Sequence, residues 1–472
     1  MGSGKVTDWQ GKHVTVAGLG VSGIPAAKAL QARGASVTVV NDGDDARARE
    51  QAAELEALGV TVRLGDGATL PEGTELVVTA PGWKPDKPLF TAARAAGLEI
   101  WGDVELAWRL RGPDAAPWLA ITGTNGKTTT TQMLASILKA AGLRTAAVGN
   151  IGVSLLDAVL GDEQYDVLAV ELSSYQLHWA PSLRAHSAAV LNLAPDHLDW
   201  HGSMEAYAAD KGRIYEGNRV ACVYNVADKA TEDLVREADV EEGCRAVGFT
   251  LGAPAPSQLG VVDGILVDRA FVENRHKNAQ ELAEISDVDP PAPHNIANAL
   301  AAAALARAFG VPPKAVRDGL RAFTPDAHRI AHVADVDGVA YVDDSKATNT
   351  HAAEASLAAY ESIVWIAGGL AKGASFDELV AKSAKRLRAV VLIGADRALI
   401  REALARHAPE VPVVDLDRTD TGAMLQAVTE AKRLAQPGDT VLLAPACASM
   451  DMFTNYNKRG DAFAEAVREL GS

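Results

Sequence analysis

"WLAITGTNGKTTTTQMLASILKAAG", residues 118–142, decides how the middle of this chain folds. The apolar run ending at Thr122 reads as a buried strand, and Gly123-Thr124-Asn125-Gly126 as a turn. Met133, Leu134, Ile137, Leu138 and Ala141 then share one helical face, and Gly142 stands where such a helix ends. Strand, glycine turn and helix are the setting of a phosphate-binding loop. There, backbone N–H groups at the helix N-terminus point at phosphate oxygens, Lys127 supplies a cation, and Thr128 offers a hydroxyl to Mg²⁺. The strict pattern G-x-x-x-x-G-K-[ST] asks for a glycine where Ile121 stands. The groups that hold the anion do not depend on that residue. The competing reading is an ordinary βα turn with a solvated lysine, and G-K-T directly after a buried strand weighs against it.

The same rhythm extends to both sides. Towards the N-terminus, "HVTVA" (13–17) runs into "GLGVSG" (18–23) and a helix-like "IPAAKALQARG", followed by "SVTVV" ending at Asn41-Asp42, and later by "ELVVTAPG". That is a parallel βαβ pattern, closed by a plausible linker "RGPDAAP" (111–117). Beyond the loop, "YDVLAVE" and "HSAAVLNL" continue the second sheet, with a Pro-rich edge expected at "DVDPPAPHN". "FTPDAHR" (323–329) is the next boundary, and "VAYVDD", "SIVWIAGG", "AVVLIG" and "TVLLAPA" are four strand-like runs of a third α/β region. The expectation is an α/β chain of three domains. They are a Rossmann-like parallel sheet over 1–112, a P-loop ATPase-like domain over 113–326 and a second Rossmann-like domain over 327–472.

Composition agrees with this class. The chain has 472 residues, 48% of them hydrophobic, and a net charge of −16, which argues against a sequence-independent grip on nucleic acid. Cys222, Cys244 and Cys447 form no C-x-x-C pair, which points to a reducing compartment. The N-terminal "MGSGKVTDWQGKH" lacks an apolar signal core, and no run reaches the ~18 apolar residues of a membrane span. A cytoplasmic protein without membrane insertion is expected.

Chemistry-bearing residues collect at strand ends. "YDVLAVELSSYQL" delivers Glu171 and "AAVLNLAPDHLDWHG" delivers Asp196, His197 and Asp199, while "MEAYAADKGRIYEG" carries Lys211 on a helix. Thr128 and Glu171 are hard oxygen ligands suited to Mg²⁺, and His197 is a less usual one. A lone His or Glu is more often structural, but three strand ends beside a phosphate loop favour a metal site.

"GTNGKTTT", "GNIG" (149–152), "ELSSYQL", "DHLDWHG", "ADKGRIYEG", "HNIANALAA" (294–302), "HR" (328–329), "DDSKATN" (343–349) and "PACASMDMF" (445–453) stand in the order found in the Mur ligase family, which the chain resembles over nearly its whole length. The resemblance implies a ligase that activates a carboxylate with ATP to an acyl phosphate, which an incoming amine attacks. "DDSKATN" and "PACASMDMF" resemble the members that add D-glutamate to UDP-N-acetylmuramoyl-L-alanine during peptidoglycan precursor synthesis. By that resemblance Gly123, Thr124, Asn125, Gly126, Lys127, Thr128 and Thr129 cradle the phosphates of ATP. Asn295 and Asn298 lie at its adenine, Asp344 at its ribose, and Arg329 reaches the γ-phosphate. Thr128, Glu171, His197 and Lys211 would hold Mg²⁺, two ions being expected, with Lys211 converted by CO₂ to an anionic carbamate. Lys127, His197 and Lys211 would be catalytic. Lys346, Thr348, Lys372, Ser449 and Tyr456 match positions around D-glutamate, although Tyr456 reads equally well as a packing aromatic. Ser22, Asp42, Gly82, Asn150, Ser173 and His197 match positions near the nucleotide-sugar. The partners implied are these two small molecules, with the protein a monomer.

Two departures stand out. Some family members place Thr-Arg after the acid that ends the second strand. Here the sequence runs "VVNDGDDARA", which leaves the diphosphate without its usual side-chain cation. "NLAPDH" replaces the more usual Thr before the acid, a mild change.

The residues also carry a rival reading. "GLGVSG" is a complete G-x-G-x-x-G between strand and helix, with Asp42 nineteen residues beyond Gly23, which taken alone supports an NAD-dependent oxidoreductase. The same geometry holds any pyrophosphate. A dehydrogenase has no need of the second phosphate loop or of the residues around it. A non-catalytic ATP-binding scaffold and a folylpolyglutamate-synthase-like enzyme are further alternatives. The latter would lack the separate N-terminal region of about 110 residues.

Overall fold

The computed structural model describes residues 9–418, 420 and 422–470. The stretch through residue 8, part of the N-terminus read for a signal segment, lies outside them. Two compact units divide the chain, Met1–Val288 with Ile296–Phe323, and Asp289–Asn295 with Thr324–Ser472.

The first unit holds two sheets. In the N-terminal one, β1 (His13–Ala17), β2 (Ser36–Asn41), β3 (Thr61–Leu64), β4 (Leu76–Thr79) and β5 (Glu99–Gly102) pair in parallel in the order β3-β2-β1-β4-β5. The order reverses at β1, so the crevice beyond the carboxyl ends of β1, β2 and β4 is where such a sheet accepts ligands. Helix Gly23–Gln31 packs Ala26, Ala27 and Leu30 against it. β1, β2 and β4 are the strands expected from sequence; β3 and β5, whose half-exposed runs carry charges, lack that apolar signal.

The second sheet contains β6 (Trp118–Thr122), β7 (Ala147–Gly149), β8 (Leu168–Glu171), β9 (Ser187–Val190), β10 (Ala221–Asn225), β11 (Arg245–Phe249), β12 (Gln258–Val262), β13 (Ile265–Asp268) and β14 (Gln280–Glu284). Their order is β14-β13-β12-β11-β10-β9-β6-β8-β7. β6, β8 and β9 are buried at every position and adjacent, so three apolar strands deliver their loops to one edge. The Pro-rich segment expected as a sheet edge at 287–295 forms no strand. It leads into helix Pro293–Ala308, as prolines that cannot donate to a ladder but fit a first helical turn would dictate. The two sheets share a core that runs from Val14, Val16 and Leu76 to Val148, Leu156 and Val170.

In the second unit β15 (Ala331–Val336), β16 (Val339–Asp343), β17 (Ile363–Gly368), β18 (Leu387–Ile393), β19 (Val413–Asp415) and β20 (Thr440–Leu443) are ordered β15-β16-β20-β17-β18-β19. The pairs from β16 to β19 are parallel, and β15 is an antiparallel edge. The four runs expected from sequence are β16, β17, β18 and β20. Short β19 and the partly exposed β15 complete the sheet.

Candidate active site

At the end of β6 the chain turns through Gly123 into helix Lys127–Ala140. The turn is sewn to the segment after β9. Thr124 N donates to Asn192 O at 3.0 Å, Asn125 N to Asn192 Oδ1 at 2.8 Å, and Asn192 Nδ2 back to Asn125 O at 3.1 Å. Gly126 is left-handed, at φ 83°, and a Cβ there would lie 2.4 Å from Asn298 Oδ1. Only glycine fits both the angle and the contact, and the contact places Asn298 against the loop. Lys127 opens the helix and its Nζ donates to Gly123 O at 2.9 Å and Thr124 O at 3.0 Å. The first-turn N–H groups, with half-buried Thr128 and buried Thr129 beside them, form an anion-accepting terminus.

Neighbouring strand ends close around this loop. Glu171, the last residue of β8, is buried. Its Oε1 accepts from Asn150 Nδ2 at 2.8 Å, whereas its Oε2 is buried with no hydrogen-bond partner. A buried carboxylate oxygen left unpaired is costly unless something positive meets it, and that fits a divalent cation. Among the described residues no group of three or more His, Cys, Asp or Glu gathers as a metal cage. Any such ion would therefore draw further ligands from Thr128, from His197 or from substrate oxygens.

Lys211 is 1% exposed, so it is not a surface lysine. Its Nζ donates to Gly123 O at 2.9 Å and to Thr122 Oγ1 at 3.3 Å. It lies 4.7 Å from the Tyr207 ring centroid, and Tyr207 OH meets Thr124 Oγ1 at 2.9 Å. Burial drives the Lys211 amine well below its usual range, and the charge of Lys127 adds to this; Asp196 and Glu171 oppose it. The neighbouring Asp210 turns away to His178 and His201. His197, left-handed at φ 53°, keeps 45% of its side chain exposed, and its ring stands 4.9 Å from Tyr175. Desolvation by the surrounding atoms lowers its pKa; Asp196 opposes this, and Lys127 and Lys211 reinforce it.

The residues matched to the nucleotide-sugar lie on both sheets of this unit. Ser22 Oγ donates to Asp103 Oδ2 at 2.9 Å, and burial raises the Asp103 carboxyl. Gly82 O accepts from Trp200 Nε1 at 3.2 Å, which joins the loop after β4 to the turn that follows His197. Ser173 caps helix Ser174–His178 in a reciprocal box with Gln176. Asp42 pairs with Lys87.

In the second unit the loops after β16, β17 and β20 are laced together. Ala446 N donates to Ala347 O, and Leu370 and Ala448 exchange both backbone bonds, all at 2.9 Å. Lys346 Nζ sits 4.0 Å from the Tyr456 ring centroid, which brings two of the five residues matched to D-glutamate together. Thr348 is half-buried, Ser449 is buried, and Lys372 is exposed and left-handed at φ 49°. Asp344 is buried and accepts from Ser356 Oγ and Ile330 N, and burial lifts its carboxyl to about 6. Half-buried Arg329 lies between left-handed His328 and Ile330. Asn295 Nδ2 donates to Pro290 O at 3.2 Å.

Several contributors escaped the sequence reading. Asn192 and Tyr207 hold the phosphate loop. Arg459, 1% exposed, donates to Ser345 Oγ and to the Ser345 and Cys447 carbonyls, tying the loop that carries Lys346 to the loop that carries Ser449. Tyr207 had a usable signal, standing one helical turn before Lys211.

Comparison with known proteins places this geometry. The Mur ligase middle domain matches residues 121–306, and the glutamate ligase domain of Mur ligases matches 328–447. The UDP-N-acetylmuramoylalanine–D-glutamate ligase of Streptomyces avermitilis is 87% identical over 467 residues, covering 99% of this chain and 100% of the relative. The protein of the same name from Thermobifida fusca is 60% identical over 463 residues, covering 98% and 99%. Among solved structures, the MurF ligase of Thermotoga maritima in complex with ADP superposes with a TM-score of 0.59 at 16% identity, covering 92% of this chain and 95% of that one. A type C pseudomurein peptide ligase from Methanothermus fervidus gives 0.58 at 17%, covering 97% and 100%.

Proposed function

The chain belongs to the Mur ligase family, and on that premise we propose that it joins D-glutamate to UDP-N-acetylmuramoyl-L-alanine with the energy of ATP. The observation that carries this reading is the 87% identity with the Streptomyces avermitilis ligase over 99% of the chain. The phosphate loop, which meets Lys211 and Asn298 and follows a strand paired with the one that ends in Glu171, supports it. Nothing in the relatives supports the oxidoreductase alternative. The N-terminal glycine loop instead serves the diphosphate of the nucleotide-sugar.

In this reading the backbone N–H groups of Gly123–Thr129 and the Lys127 ammonium hold the ATP phosphates, with Asn298 at the adenine side of the loop. By the same resemblance Asn295, Asp344 and Arg329 are nucleotide contacts. Thr128, Glu171, His197 and a carbamate on Lys211 would hold two Mg²⁺ ions, which would neutralise charge on the transferring phosphoryl group. Lys211 reaches that state from its neutral amine, whose nitrogen bonds to the carbon of CO₂ and releases a proton. Lys346 and Lys372 grip the carboxylates of D-glutamate, while Thr348, Ser449 and Tyr456 shape its pocket. Ser22, Asp42, Gly82, Asn150 and Ser173 face the nucleotide-sugar. The division at 112 and 326 into three domains, a monomeric state and a cytoplasmic location belong to the same proposal. Among the described residues no helix is long and apolar enough to cross a membrane.

Phosphate release should require ATP, the UDP-muramoyl-alanine acceptor and D-glutamate together. Equal turnover with L-glutamate or D-alanine would refute the substrate assignment. Nicotinamide oxidation or reduction would revive the dehydrogenase.

A further inference from the structure

The end of β2 is strongly acidic, with Asp42, Asp44 and Asp45 in a run of five residues from Asn41. A diphosphate arriving at the neighbouring glycine loop would meet these carboxylates. Two of them are already occupied, since Asp44 pairs with Arg49 and Asp45 caps helix Ala46–Glu56. Asp42 is met instead from a distant part of the chain. Lys87 Nζ lies 2.5 Å from Asp42 Oδ2 and 4.4 Å from the centroid of the Trp83 ring.

Trp83 fixes where that ammonium stands. A Cβ on Gly18, the first residue of the glycine loop, would be 3.0 Å from Trp83 Nε1, and one on Gly67 would be 2.9 Å from Trp83 Cη2. The indole thus bridges the loops that follow β1 and β3, with Lys87 on its face. Asn41 Oδ1 accepts from Leu19 N at 3.1 Å, which fixes the end of β2 to the same loop. Beyond Gly20 there is open space, so a ligand can approach that backbone. Three other cations of this region are committed elsewhere: Lys84 Nζ donates to Asp199 O at 2.8 Å, Lys28 pairs with Glu54, and Arg49 pairs with Asp44.

Resting on the nucleotide-sugar reading above, we propose that Lys87, held over Trp83 and parked on Asp42, is the side-chain cation for the ligand's diphosphate. It replaces the basic residue missing after Asp42. The side chain is 28% exposed and its ammonium lies on the indole, so it reaches a diphosphate by rotation of its terminal bonds, with little ordering still to be done. The Asp42 pair keeps it aimed at the loop before ligand arrives, and cation–π attraction offsets part of the cost of its desolvation.

Calorimetric titration of the full-length protein with uridine, UMP and UDP separates nucleoside from phosphate contacts. Lys87→Met, which keeps the stem, should lower UDP affinity about tenfold or more, the size of one lost charge-assisted hydrogen bond, and leave uridine within about twofold. Lys87→Arg should restore most of the UDP affinity. Lys28→Met, an equal change of charge, should alter neither. Unfolding curves matching the wild type show that the variants are folded. UDP affinity within about twofold of wild type in Lys87→Met overturns the proposal while leaving the nucleotide-sugar reading intact. A wild type that binds UDP no better than uridine overturns both.

Discussion

Replacing Lys211 with Met tests the core of the site, because structural and chemical roles predict different outcomes. The amine makes hydrogen bonds of 2.9 Å to Gly123 O and 3.3 Å to Thr122 Oγ1, and Thr122 Oγ1 keeps its own bond to Leu172 O at 2.7 Å. A neutral hydrogen bond nets about 1 kcal/mol, and the longer of these is worth less. Against that loss stands relief from holding an amine that burial and Lys127 push well below its ordinary pKa. Met fills nearly the same volume in a site that is 1% exposed. The two contributions largely cancel, and unfolding free energy should change by less than about 2 kcal/mol in either direction.

Turnover should respond very differently. Removing a preorganised charged group from a phosphoryl-transfer site costs about a hundredfold or more in kcat. Phosphate release by Lys211→Met should fall by that order while its unfolding curve stays close to wild type. In Lys211→Ala, short-chain carboxylates should restore part of the rate by occupying the space a carbamylated side chain would leave. A second readout is independent of activity: wild type equilibrated with ¹³C-bicarbonate should show a carbamate carbon resonance that is missing in both variants. Near-normal kcat in Lys211→Met, or no such resonance in active wild type, refutes the carbamate role.

Gly126→Ala should destabilise the first unit by about 1–2 kcal/mol through left-handed strain. It should also weaken ATP binding about tenfold or more, because its methyl meets Asn298 Oδ1 at 2.4 Å; nucleotide titration at unchanged binding would count against the loop assignment. Lys372→Ala should raise the KM for D-glutamate about tenfold or more, as one lost charge-assisted contact of about 1.5–3 kcal/mol requires, with the KM for ATP nearly constant. The Asp343 hydrogen bond raises His328 above its ordinary 6.5. Its stabilisation of the second unit is therefore full below about pH 6.5 and lost as pH climbs through the raised value. His328→Gln should flatten that part of the stability–pH curve, and an unchanged slope would remove the pair from the account.

What could be read from the sequence follows from how local the physics is. The unit β6, glycine turn and helix is specified within residues 118–142, because periodicity, turn chemistry and the helix stop all sit in one window. Two hairpins were equally local and were still missed. Val262-Asp263-Gly264-Ile265 and Val336-Asp337-Gly338-Val339 place Asp-Gly between apolar runs, and both central residues have φ between 48° and 79°. That is the signature of a two-residue turn whose twist matches its strands. The first hairpin builds the far edge of the second sheet, and the second joins β15 to β16.

The site divides in the same way. Phosphate, metal and carboxylate chemistry each demand particular residue types, so Lys127, Glu171, Lys211 and Lys346 announce themselves wherever the chain places them. The groups that hold them in place obey no such rule. Arg459 lies in "YNKRGDAF", which reads as a charged helix start facing solvent, yet it is 1% exposed and spends its donors on Ser345 and on the Cys447 carbonyl. Burial lowers its pKa to about 10, so it remains a cation at neutral pH. Those bonds cross more than a hundred residues of sequence to Ser345, and no period or motif encodes such a reach. Because the Ser345 and Cys447 carbonyls can be satisfied by a single fork-shaped donor only if both loops sit at the right distance, Arg459 sets the spacing between Lys346 and Ser449. The geometry of the proposed amino-acid pocket thus depends on a residue whose importance appears only once the chain is folded.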